Sequence, residues 1–416
     1  MARIDYICAR SIALKMITSM ELLAAKALAS KADKELRENI LPYWRKNIPL
    51  PSGLFLGRIS GHEEARPDSP IGGIMTARIL WTFASAYRIA GREEDLEMAL
   101  KAKKIISEHF FDSEFGGTYW AIAPDGSCLD SKKQIYAIAF TIYGLAELFR
   151  ATRDQEALDL AIRLFRDIEQ HSFDHSLNGY FEAFQRNWEP IGDMRLSDKD
   201  ANESKTMNTH LHILEAYTGL YRVWKDALLH QRLKNLIELF LDKIIGTDFH
   251  LKLFFSEDWN CNYDIQSFGH DIEASWLLHE AAIVLGDKAL INKVEKAVPA
   301  IVHAASEGYE SGKGMAYEKK DGTLDMERHW WVQAESVVGY FNLWQLRGGA
   351  KNLEKALATW DFIEGNLVDR QNGEWFWSIR ADGSVNRDDD KAGFWKCPYH
   401  NGRMCMEIIE RCKNLK

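Results

Sequence analysis

Along most of this chain apolar residues recur every three to four positions, the spacing of a helix that buries one face. Nine stretches carry it: TARILWTFASAYRIA, LEMALKAKKIISEHFF, IYAIAFTIYGLAELFRAT, ALDLAIRLFRDIEQH, THLHILEAYTGLYRVW, QRLKNLIELFLDKII, HDIEASWLLHEAAIVLG, LINKVEKAVPAIVHAA and VQAESVVGYFNLWQL. Between pairs of them lies a segment of different period, with a glycine or its equivalent, a short alternating aromatic run and often a turn. These read GLFLGRI from Gly53, GGTYWAIAPDG from Gly116, GYFEAF from Gly179, LKLFFSED around Phe254, GMAYEKKDG from Gly314 and GEWFWSIRADG from Gly373. Alternation bounded by Asp-Gly or Gly-rich turns predicts short hairpin strands.

The starts of these segments are spaced by 63, 63, about 75, about 60 and 59 residues. Each period therefore holds two helices and one hairpin-like loop. Two helices cannot bury their own apolar faces, so such units stack, and six of them can close into a ring. The pattern predicts an all-α fold, an (α/α)6 barrel of six helix pairs in an inner and an outer ring, with the short β-hairpin loops and a pocket at one end. An open solenoid is the structural competitor. The reading divides the chain into residues 1–34, an N-terminal extension that is helical or partly disordered, and residues 35–416, a single catalytic barrel domain.

Composition narrows the function. With 46% hydrophobic and 27% charged residues in 416, the chain is globular rather than disordered or fibrous. A net charge of −9 without a long Lys/Arg run argues against a nucleic acid or a membrane as partner. Six scattered cysteines with no C-x-x-C pair suggest neither zinc nor disulfides, and read as reduced thiols of a cytoplasmic protein. The N-terminal stretch mixes Arg, Lys and Glu into its apolar residues, unlike a secretory signal. It reads as an extra helix, or as an upstream start whose natural initiator is Met20. Fourteen tryptophans are more than a core of this size usually uses, and surplus Trp marks surfaces that stack on flat or sugar-like ligands.

No G-x-G-x-x-G follows a strand, and G-x-x-x-x-G-K-[ST] and H-E-x-x-H are absent, so nucleotide and zinc-protease chemistry drop out. The run Asp388-Asp389-Asp390 reads as a solvated turn rather than a metal site. What remains is histidines and acids beside aromatics. Asn208, His212 and Glu215 share one helix face, and His210 points elsewhere. His270 and Glu273 are i, i+3 neighbours at a helix start, where the carboxylate could hold one imidazole nitrogen. Trp331 and Glu335 lie one turn apart. Trp395 and His400 sit in a loop fixed by Pro398, and Arg78 is a cation on an apolar helix. Singly, each has an ordinary structural reading as core, snorkelling cation or satisfied histidine. In a closed ring they converge at one end, where pockets form.

The strings SFGHDIEASWLL, MNTHLHILEAY, RHWWVQAE and FW-x-CPYHNGR closely resemble the cellobiose 2-epimerases, within the N-acylglucosamine 2-epimerase superfamily, from about Leu36 to the C-terminus. The resemblance implies an (α/α)6 barrel that needs no cofactor and no metal. It implies reversible inversion at C2 of the reducing-end glucose of β-1,4-linked disaccharides, cellobiose to glucosyl-mannose and lactose to epilactose. The partner is then a disaccharide or other reducing sugar, and the chain a monomer or weak homo-oligomer. By motif, Arg78, Tyr136, Asn208, His212, His270, Glu273, Trp331, Glu335, Trp395 and His400 fall on the family's site positions; the neighbouring Trp330 competes with Trp331 for the pocket.

Inverting C2 of an aldose requires ring opening, loss of the C2 proton and its return to the opposite face. Two acid–base groups flanking one carbon suit this, and an ordinary imidazole offers both proton states near neutral pH. His270 and His400 are assigned as that pair. Arg78 and His212 complete the expected catalytic set, stabilising the enediol(ate) charge. Glu273 and Glu335 orient imidazoles or bind hydroxyls, Trp331 and Trp395 stack on sugar faces, and Tyr136 and Asn208 complete the substrate-binding set. Competing readings are a monosaccharide epimerase or isomerase of the same superfamily, a glycoside hydrolase on the same toroid, which needs two carboxylates across the scissile bond, and a non-catalytic sugar-binding protein.

Overall fold

The computed structural model describes residues 18–413 and residue 415. Six inner helices run through the chain at the predicted period: α3 (Gly73–Ala90), α5 (Ile135–Thr152), α7 (Met207–Val223), α9 (Phe268–Leu285), α11 (Trp330–Arg347) and α13 (Tyr399–Lys413). They are buried on nearly every side, since one face meets the outer ring and the other the barrel axis. The outer helices α4 (Glu93–Ile105), α6 (Gln155–His171), α8 (Ala227–Leu239), α10 (Lys288–Ala305) and α12 (Ala350–Phe362) bury one stripe each. Aspartates 154, 226 and 287 cap α6, α8 and α10 by accepting backbone N–H groups that the first turn leaves unpaired.

The sixth outer position is filled from the N-terminal side. Helix α1 (Ser19–Glu35) runs through a π-helical turn, Leu36–Ile40, into α2 (Leu41–Asn47), and α1 packs along α13. The boundary drawn at residue 34 thus falls inside an outer helix, while residues 1–17 of the expected extension lie outside the described residues. Helix α13 packs against both α11 and α3, so the ring is closed and the solenoid alternative is excluded. The chain is an (α/α)6 barrel.

The hairpins are present, and they do more than turn. The strand leading into each inner helix pairs antiparallel with the strand that follows its outer partner: 71–72 with 121–122, 133–134 with 183–184, 205–206 with 254–255, 265–267 with 318–320, and 328–329 with 378–379. A single bridge from Ile59 to Ala392 supplies the sixth link. All six links lie at the end of the barrel where the inner helices begin. Buried ion pairs reinforce three of them: Lys133 to Asp112 (2.8 Å), Lys205 to Asp174 (2.6 Å) and Lys391 to Asp369 (2.5 Å). The Asp388–Asp390 run is a surface turn, with Asp390 paired to Arg58 at 2.6 Å. Among the described residues no helix is long and apolar enough to cross a membrane.

Removing one partner of such a pair strands a desolvated charge, because the Lys205 side chain is fully buried. Asp174→Ala is expected to cost about 3–5 kcal/mol, and Asp174→Leu with Lys205→Met to recover most of it. Urea unfolding of the two variants checks this; equal losses in both would show that the charge pair is not what holds this link.

Candidate active site

The inner helices share a register at the hairpin end. Their second and sixth residues lie one turn apart on the axis-facing side. The second positions bring Tyr136, Asn208, Trp331 and His400 there; the sixth bring Arg78, Phe140, His212, Glu273 and Glu335. His270 is third in α9, where the second residue is Gly269. A Cβ there would stand 2.6 Å from the Trp331 ring, so glycine is what lets that indole lie across the start of α9. Trp331 packs on His270 at 4.8 Å and on His400 at 5.6 Å between ring centroids. The neighbouring Trp330 turns away onto Trp377, at 4.6 Å.

Beneath these rings lies a buried charge cluster that the sequence reading did not single out. The Arg403 guanidinium, on α13, donates to Glu273 at 2.5 Å, to Glu335 at 2.6 Å and closely to Glu215. Tyr399 also donates to Glu215, and Trp276 donates to Glu335 at 3.0 Å. The signal that could have found Arg403 is the one that flagged Arg78, a cation on an otherwise buried helix, one turn beyond His400.

Each carboxylate has a distinct task. Glu335 accepts from Nδ1 of His400 at 2.7 Å, and Glu215 from Nδ1 of His212 at 2.9 Å, so both imidazoles present Nε2 to the interior. The expected hold of Glu273 on His270 is not made. His270 Nδ1 meets the Ser267 hydroxyl instead, at 2.7 Å, and Glu273 lies 4.0 Å from His400 Nδ1. The i, i+3 spacing allowed the pair, but Arg403 captures the carboxylate. His210 is structural, with Nε2 accepting from the Tyr180 backbone at 2.9 Å.

Arg78 lies over the Phe140 ring at 4.2 Å and donates to the Tyr136 hydroxyl at 2.8 Å and to the Trp395 carbonyl at 3.3 Å. Trp395 packs on Trp120 at 5.9 Å. Arg78 Nε and Asn208 Oδ1 are buried without a partner, groups that a ligand hydroxyl could satisfy. A cavity of about 200 Å³ reaches outward from Asn208 and His270 past Tyr317 and Lys199. The larger cavity, about 660 Å³, opens at the opposite mouth, where the inner helices end.

Burial governs the titration of this site. It pushes His270 down to about 3, aided by the nearby His212, and holds His400 well below the ordinary imidazole range, aided by Arg78 and Arg403. Both rings are therefore neutral near pH 7 in the unliganded protein, rather than poised between states as an ordinary imidazole would be. Burial and then Glu335 raise Glu273 to about 7. Glu215 is held at about 2, because Arg403, His212 and Tyr399 outweigh its burial. Glu273, Glu335 and His400 offer ligand atoms within 4.8 Å of one another. Arg403 already serves both carboxylates, so a metal ion there would have to displace the guanidinium.

A family model described as N-acylglucosamine 2-epimerase (GlcNAc 2-epimerase) matches residues 55–402. The chain is 59% identical over 386 residues to a cellobiose 2-epimerase of Bacteroides fragilis, covering 92% of this chain and 98% of that one. It is 39% identical to a cellobiose 2-epimerase of Ruminococcus albus, covering 92% and 99%. The solved structure of cellobiose 2-epimerase from Bacillus thermoamylovorans matches with a TM-score of 0.89 at 39% identity, over 93% of this chain and 100% of that one.

With a folded value near 7 against an ordinary 4.5, Glu273 binds its proton more tightly folded than unfolded. Its contribution to stability is full below about pH 4.5 and is lost as pH climbs through 7. Glu273→Gln removes that loss. Its unfolding free energy in urea should gain on the wild type between pH 4.5 and 7, then keep a level lead; a difference independent of pH would contradict the assignment.

Proposed function

Since this chain belongs to the N-acylglucosamine 2-epimerase family and is a carbohydrate epimerase, we propose that it inverts C2 of the reducing-end glucose of β-1,4-linked disaccharides, turning cellobiose into glucosyl-mannose and lactose into epilactose. Support for the disaccharide comes from the cellobiose-epimerising relatives named above, whose likeness spans nearly the whole of each chain. The observation that carries the mechanism is the pair of neutral imidazoles, His270 and His400, on a shared indole.

In this mechanism the open-chain sugar presents its C2–H to one imidazole. For His400, Nδ1–H is committed to Glu335, so Nε2 carries the lone pair that takes the proton, and Glu335 stabilises the imidazolium. His270 has a different partner. The Ser267 hydroxyl can donate or accept, so His270 can present Nε2 either as acceptor or as N–H. It delivers a proton to the other face of C2, while the Ser267 hydroxyl returns one to Nδ1 from solvent. Run backwards, the two exchange roles, as a reversible epimerisation requires.

The charge that appears on O1 and O2 of the enediol(ate) is met by Arg78 and His212. Arg78 is 3% exposed, so its hydrogen bonds act in a medium of low dielectric. All six inner helices point their N-termini at this end, and their dipoles favour an anion there. Trp331 and Trp395 offer ring faces to the sugar, and Tyr136 and Asn208, with the partnerless Oδ1 of the latter, offer hydrogen bonds.

His270→Ala and His400→Ala should each fold and lose about 10²–10⁴-fold in turnover of cellobiose, followed by proton NMR of the product. Near wild-type turnover in either variant would remove it from the pair. In D2O the wild-type product should carry solvent deuterium at C2; product without it would point to hydride or carbon-skeleton chemistry.

A further inference from the structure

The 660 Å³ cavity at the far mouth takes no part in the chemistry above. It lies behind the Arg403 cluster, among the C-terminal halves of the inner helices, and its size is that of a small-molecule site. Its charges cancel. Five arginines are matched by six glutamates, with Arg88 held between Glu147 (2.5 Å) and Glu410 (2.6 Å) and Arg411 on Glu407 (2.8 Å). Arg347 is the one guanidinium of the lining without a carboxylate partner, and it donates to the Glu295 backbone carbonyl at 2.6 Å.

What the cavity leaves open is neutral hydrogen bonding. Asn342, 2% exposed on α11, receives Arg411 (3.0 Å) and His279 Nδ1 (3.1 Å) on its Oδ1. A guanidinium only donates, so that atom must be the amide oxygen, and the His279 proton sits on Nδ1. Asn342 Nδ2 is then a buried donor without a partner. His279 Nε2, 6% exposed on α9, makes no hydrogen bond within normal reach, the Glu295 carboxylate lying 3.7 Å from it. On the facing wall the Trp81 indole N–H is also unpaired, and the Trp81 ring stacks on Tyr143 at 5.1 Å and 17°.

Two unpaired donors, Asn342 Nδ2 and the Trp81 indole N–H, are complementary to the oxygens of neutral hydroxyl groups, and a flat aromatic wall suits the C–H face of a pyranose. Leaving these groups dry and unpaired costs free energy that a polyol would recover. We propose that the far cavity is a second binding site, for a neutral polyhydroxylated molecule of saccharide size, held by Asn342, His279 and Trp81 against Tyr143.

The probe is methyl β-cellobioside, which has no free reducing end and is not turned over. Calorimetric titration of the full-length protein should give two sites per chain. Asn342→Leu keeps the side-chain volume and deletes the donor; it should weaken one site about tenfold or more, with the KM and kcat for cellobiose unchanged. His279→Gln provides the same test should Asn342→Leu not fold, with circular dichroism reporting on folding. A folded Asn342→Leu or His279→Gln variant that binds the probe as the wild type does overturns the proposal, whatever the number of sites. Of the two sites, the one at the active site rests on the disaccharide reading, while the one weakened by Asn342→Leu does not, so the failure of either is read separately.

Discussion

The structure turns on one buried guanidinium. Arg403 is fully enclosed and meets three carboxylates from three other inner helices. Desolvating four ionisable groups together is costly, and the Coulomb attraction offsets that cost only where the geometry closes every pair. It closes here because α7, α9, α11 and α13 are fixed around a ring at matching heights. The raised proton affinity of Glu273 fits the same balance, since one guanidinium cannot neutralise three anions and the least compensated carboxyl holds its proton longest.

The cluster also organises what lies above it. Glu335 and Glu215 face Arg403 on one side and an imidazole on the other, so the charge that anchors the barrel also fixes the tautomers of His400 and His212. His270 is the exception, held by a neutral hydroxyl that permits either tautomer. A sixfold scaffold thus carries an asymmetric site, in which the helices share a register but not a residue. Arg78, Phe140, His212, Glu273 and Glu335 are five answers to one structural position.

Much of this could be read from the chain. The period of glycine-aromatic segments was enough to predict a six-unit ring, because each segment marks the return from an outer helix to an inner one. Helix α12 escaped the reading because its apolar stripe, Leu353, Ala356 and Trp360, is sparse and follows a Gly-Gly break. The part of α1 before residue 35 looked like an appendage because sequence cannot say which helix packs beside the last one. Adjacent residues such as Trp330 and Trp331 differ by about 100° around a helix. Choosing between them needs the helix's rotation, which the strand at 328–329 sets. The pairing of His270 failed for a related reason. Spacing tells which groups can meet, while the competing partner, here Arg403, comes from 130 residues away.

The same cluster bears on why this toroid would run epimerase rather than hydrolase chemistry. A glycosidase needs two carboxyls free to protonate, or to attack, on either side of a bond. Three acids of the inner helices are bound to Arg403, and two of them are also bound to imidazoles; Glu273 alone keeps an unpartnered oxygen, Oε2, which is one carboxyl short of a hydrolytic pair. Beside that oxygen, Arg78 Nε and Asn208 Oδ1, the unencumbered atoms at the site are ring nitrogens, those of His270 and His400 kept neutral by burial. Neutral imidazoles do not cleave acetals, but they can take a proton from carbon beside a carbonyl, provided the resulting oxyanion meets a cation. In the proposed mechanism Arg78 would supply that cation, its charge held in place by π faces and by a tyrosine hydroxyl rather than quenched by a carboxylate.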